Sequence, residues 1–154
     1  MWWQIILVII AAIVCYFTVH HLWLRQRQIH YQKQLDRQMR SLLPKIQKKV
    51  PQVLPETLQS SIPVSIWHRD VLIYEYLVQL SCDDEIKITA PQLSVVLNEG
   101  LDLPARLLVT ECWQRGMTFH FDVVYLNNPT TLEYVGDMEK IDADNLEHHV
   151  PKNK

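Results

Sequence analysis

Trp2 to Arg27 reads WWQIILVIIAAIVCYFTVHHLWLRQR, and no charged side chain interrupts it before Arg25. At about 1.5 Å of rise per helical residue, roughly 20 such residues cross a hydrocarbon core of about 30 Å. Residues 1–24 are therefore expected to form a single transmembrane α-helix. Trp2 and Trp3 at one end, and His20, His21 and Trp23 at the other, stand where amphipathic rings settle at headgroup level. A cleaved signal peptide needs a basic region before the apolar run and small residues at a cleavage site, and MWWQ and AIVCYF supply neither. The helix is read as a retained anchor. Cys15, preceded by the bulky Val14, is read as a membrane-buried thiol rather than a lipidation site.

Basic residues close to a span resist translocation, and here they lie on one side only. Arg25, Arg27, Lys33, Arg37 and Arg40 follow the helix at once, with Lys45, Lys48 and Lys49 further on. The expected topology puts the N-terminus outside and the remainder in the cytoplasm, in a bacterial inner membrane.

Charge divides that remainder. Residues 25–55 carry eight Lys or Arg against the single Asp36, a net of +7, whereas residues 56–154 carry seven against sixteen Asp or Glu, a net of −9. The eight basic side chains are candidates for contact with anionic lipid headgroups. The acidic portion is a poor partner for nucleic acid, because affinity for a phosphate backbone rests on cations that replace its counterions.

The basic stem, residues 25–49, spaces Leu35, Met39, Leu42 and Ile46 at helical intervals on a polar background. Three readings follow: a helix lying on the bilayer, a short coiled-coil homodimer through residues 28–46, or a solvated stem. Gln28 and Gln32 in the same register weaken the coiled coil. Pro44 is expected to end or kink the helix near Leu43. Pro51, Pro55 and Pro63 then mark residues 50–63 as a stiff linker that holds the following domain off the membrane.

Residues 64–147 are expected to form a small α+β domain, followed by a tail at 148–154. Its clearest unit is an antiparallel hairpin over 105–126, ARLLVTECW and MTFHFDVVYL about a glycine-containing turn. A three-residue loop Gln114–Gly116 sets Trp113 opposite Met117 and Glu111 opposite Phe119. A two-residue loop Arg115–Gly116 sets Glu111 opposite His120. APQLSVVLNEG reads as a helix with Thr89 as N-cap, Pro91 in the first turn and Gly100 beyond the end. PVSIWH and EIKIT read as strands; VLIYEYLVQL reads as a strand or as a helix capped by Asp70, because ten mostly apolar residues do not separate the two.

Chemistry-bearing residues are sparse. The three glycines are too scattered for a phosphate-cradling loop. His148 and His149 lack the spaced partners of a zinc site, Cys82 has only adjacent carboxylates, and GDMEKIDADNLE departs from calcium-loop offsets, so it reads as a solvated acidic tail or a terminal helix. Neither a metal nor a cofactor is expected. In the two-residue loop register, Glu111, His120 and Asp122 gather on one sheet face, a weak polar cluster whose ordinary role is a cross-strand pair. Cys82 and Cys112 are expected as thiols in a reducing cytoplasm and as a candidate disulfide if the domain faces outward.

The layout is similar to that of bacterial division anchors in architecture alone, with a shorter and more basic linker and no shared residue motif, so the likeness carries over no function. The sequence thus points to a membrane-anchored scaffold that presents an acidic domain to a basic protein partner and carries no catalysis. The competing expectations are an envelope-assembly subunit facing outward and a membrane-bound enzyme using Glu111, His120 and Asp122.

Overall fold

A computed structural model describes residues 2–66 and 69–149, with side chains up to residue 140. A long N-terminal helix, α1 (Trp2–Lys49), leads into an α+β domain built from β1 (Gln59–Ser61), β2 (Ile73–Gln79), α2 (Ala90–Asn98), β3 (Leu107–Arg115), β4 (Thr118–Tyr125) and α3 (Pro129–His149). The strands form one antiparallel sheet in the order β1-β2-β4-β3.

The apolar start of α1 is long and hydrophobic enough to cross a membrane. Every side chain from Trp2 to Trp23 is exposed. Burial begins at Leu24, and the stripe of the expected stem, Leu35, Met39, Leu42 and Ile46, is buried together with Leu43 in the main core. The chain's own core takes up these side chains, which corrects the bilayer and coiled-coil readings that rested on their being on the surface. The sheet face of Tyr74, Tyr76, Phe119, Phe121 and Val123 shares that core, and Leu93, Val96 and Leu97 of α2 complete it.

Polar groups fix the helix on the sheet. Asp36, the stem's lone acid, accepts hydrogen bonds from the Tyr76 hydroxyl at 3.0 Å and the Ser60 hydroxyl at 3.0 Å. The Tyr74 hydroxyl donates to the Gln28 carbonyl at 2.9 Å. Burial, and for Tyr76 the neighbouring Asp36, pushes both phenols above their usual range. A helix held at so many points continues through Pro44, which is exposed, as far as Lys49. Tertiary packing here overrides the expected break.

Nor is 50–63 a free linker. Val50 and Val53 are buried, Val53 bridges Leu80, and Gln59–Ser61 pairs with Leu77–Glu75 as a short polar edge strand. The expected strand at PVSIWH is a 3-10 turn over Val64–Ile66, closed by the Ile66 amide donating to the Pro63 carbonyl at 3.2 Å. Val64 is exposed and Ile66 buried, so they share no face; Trp67 and His68 lie outside the described residues. EIKIT is extended but joins no ladder. Its Ile86 amide donates to Gln114 Oε1 at 2.9 Å, and its Ile88 carbonyl accepts from the Cys112 thiol at 3.6 Å.

VLIYEYLVQL resolves as strand β2. The expected α2 is present, with a reciprocal capping box between Thr89 and Gln92 and with Gly100 at φ +78° just past its end. The acidic C-terminal segment is helical: Asn128 Oδ1 accepts the Thr131 amide at 2.9 Å as its cap, and Val135 packs with Ile73 and Val124 on the second face of the sheet.

Candidate functional site

The second face of the sheet, partly covered by α3, carries the polar cluster, in a register that neither expected loop provides. The hairpin turns through Gly116 and Met117, with Arg115 opposite Thr118 and Gly116 at φ +55°, the positive value that the first central position of such a turn demands. Trp113 therefore faces His120. Further along β3 the ladder slips between Val109 and Glu111, a bulge that leaves Thr110 unpaired. Strict alternation from Val109 would aim Glu111 into the core; the bulge re-aims it outward, opposite Asp122, and turns Cys112 inward.

β2 supplies a residue absent from the sequence-based candidates. Glu75 lies directly across from Asp122 on its other side, so that Glu75, Asp122 and Glu111 form a row of carboxylates over three strands. His120 flanks the row. Its ring stacks on Trp113, with centroids 5.1 Å apart and planes 7° from parallel, and its Nδ1 stands 3.6 Å from Glu75 Oε1, beyond hydrogen-bond reach. Ser61 donates to Glu75 Oε2 at 3.1 Å.

Asp122 is the most perturbed member. One of its oxygens is buried without a hydrogen-bond partner. Burial first, then the charges of Glu75 and Glu111, pushes its carboxyl from 3.8 up to about 6. A cavity of about 90 Å³ beside it is lined by Thr110, Glu111, Ile73, Tyr134 and Met138. The row gathers three carboxyl groups, with an aromatic ring at its edge. Among the described residues, no group of three or more His, Cys, Asp or Glu side chains is placed to hold a metal ion; the side chains of His148 and His149 lie outside them.

The basic residues of the stem share one helix but not one height. Arg27 pairs with Asp70 at 2.8 Å and lies over the rings of Trp23 and Tyr31. Arg25, Lys33, Arg37, Arg40, Lys48 and Lys49 are exposed, while Lys45 donates to the Glu99 carbonyl. From Leu24 to Lys49 the helix rises by roughly 37 Å. Only Arg25 and Arg27 stand within one turn of the apolar segment.

A second concavity escaped the sequence because its walls are distant in the chain. A groove of about 660 Å³ lies between the end of α1 and α2, lined by Ile86, Ile88 and Val95 together with Lys49, Glu85 and Glu99. Cys82 and Cys112 are free thiols with separate partners, Asp84 and the Ile88 carbonyl. Burial pushes the Cys112 thiol up.

Comparisons with protein families, with curated proteins and with solved structures found no match to this chain.

Proposed function

We propose that the chain is a single-pass membrane protein whose acidic α+β domain works by binding a basic protein partner at the cytoplasmic face. The observation that carries this reading is the row Glu75, Asp122 and Glu111 with Trp113 at its rim. Three acids brought together on one sheet face favour a cationic ligand, and a 39% exposed Trp113 offers the kind of aromatic anchor that dominates interfaces. Asymmetry of charge about the apolar helix supports the orientation.

Two measurements test the proposal. A membrane-impermeant thiol reagent applied to intact cells should leave Cys82 and Cys112 unlabelled until lysis; labelling before lysis places the domain outside and favours envelope assembly. Affinity capture of the intact chain should then retain a partner that Glu75→Lys with Glu111→Lys releases. Capture that is empty, or unchanged by the charge reversal, refutes binding through this face.

The gathering of Glu111, His120 and Asp122 on one face also supports the second reading, a membrane-bound enzyme that moves a proton through Asp122. Full biological activity after alanine replacement of all three residues removes it.

A further inference from the structure

The junction between the apolar half of α1 and the domain has no spacer. Trp23 is 54% exposed, yet Leu24 is 5% exposed and Gln28 only 1%. If Trp2–Trp23 spans a bilayer, as the proposed function requires, Gln28 stands roughly 6 Å beyond Leu24 along an unbroken helix. The headgroup layer adds about 5–7 Å to each side of the hydrocarbon core. Whatever packs on Leu24–Gln28 therefore lies within that layer.

One segment packs there directly, and a second is tied to it. The Gln28 amide donates to the carbonyls of Ile66, Arg69 and Val71 at 3.1, 2.9 and 3.2 Å, and Arg27 holds Asp70. Asn128 donates to the Asp70 carbonyl at 2.8 Å, and the Thr131 hydroxyl accepts the Leu72 amide at 3.0 Å, which brings in the start of α3. These two segments, together the cap, expose two large apolar side chains, Val64 at 69% and Leu132 at 53%, and the basic Arg69.

We infer that the cap seats the domain on the phospholipid headgroup layer of the bilayer that α1 crosses, with Val64 and Leu132 entering the interface and Arg69 meeting lipid phosphate. The seat replaces the stand-off expected of a linker. It also fixes the direction of display. Tyr74 meets Gln28 and Tyr76 meets Asp36, so β2 runs away from the membrane, and the hairpin turn at Gly116–Met117 and the groove beside Lys49 form the distal end.

The test uses the full chain in phosphatidylcholine–phosphatidylglycerol vesicles, with one environment-sensitive fluorophore per protein. Variants V64C, L132C and M117C are made with the native cysteines replaced, and a fourth protein retains Cys15 alone. Nitroxides on the lipid headgroups should quench the probes at positions 64 and 132 by about twofold and leave position 117 bright, as expected for side chains seated at the interface; acyl-chain nitroxides should quench the probe on Cys15. Bright probes at 64 and 132 beside a quenched Cys15 overturn the seat and leave the anchor standing. Equal quenching at 117 overturns the seat by showing the domain lying on its side. A bright Cys15 overturns the span, and the seat with it.

Discussion

The two halves of α1 place opposite demands on their surroundings. From Trp2 to Trp23 the helix is almost wholly apolar, and every side chain is exposed. From Leu24 to Lys49 it carries eight Lys or Arg and many glutamines, yet it buries Leu35, Met39, Leu42 and Ile46 in the domain core. Apolar content therefore measures how much surface must leave water, not what will cover it. In the first half every side chain is exposed, the surface that the proposed span would bury in lipid. In the second half a narrow stripe suffices, because a sheet lies beside it.

The largest effect should come from breaking the second half. Leu35→Ala or Met39→Ala should cost the domain about 2–5 kcal/mol, the price of an unfilled core site, in urea unfolding of the full chain in detergent micelles. Leu7→Ala in the first half should shift the same transition by less than about 0.5 kcal/mol. Similar shifts from both halves would remove the distinction.

A smaller effect should mark the boundary itself. Gln28→Leu keeps the bulk but removes the donor shared by Ile66, Arg69 and Val71, and the orphaned carbonyls should cost about 1–3 kcal/mol. Faster amide exchange confined to residues 69–72 is the expected local sign. Unchanged exchange there would mean that the helix and the cap are held by apolar contact alone.

The smallest effect lies on the second face of the sheet. The folded Asp122 keeps its proton up to about pH 6, against 3.8 ordinarily, so the fold binds that proton more tightly than the unfolded chain does. Stability from this group is then complete below about pH 4 and falls as pH rises through 6. Asp122→Asn should flatten that fall and gain about 1 kcal/mol at pH 8, a figure reduced for its partial access to solvent. Unfolding midpoints at pH 5 and 8 decide it: an equal fall in parent and variant would show that Asp122 contributes nothing to the pH dependence. The groups that face it are Glu75, Glu111 and His120 on the strands and Tyr134 and Met138 on α3.

How much of this was legible depended on the range of each signal. The ends of α2 could be read from the sequence, because Thr89, Pro91 and Gly100 act within one turn of them. The hairpin could be located but not registered: its turn sits one residue later than either expected loop, and the bulge at Thr110 carries no glycine or proline to announce it. Glu111, His120 and Asp122 share a face through a register other than the one that suggested it, whereas Glu75 could not join them, since its place depends on β2 pairing with β4 more than 40 residues away in the chain.

The sequence by itself determined the apolar helix, the charge asymmetry beyond it, the presence of a stripe at helical spacing and the strand-turn-strand of β3 and β4, all of which follow from local composition and periodicity. Only the tertiary structure decided that the stripe belongs to the domain, that α1 runs through Pro44, that residues 50–61 are folded in, and that three carboxylates share one row. Each of these is a choice of partner, and a partner is selected by the free energy of burying two surfaces together, to which a single stretch of chain contributes only one.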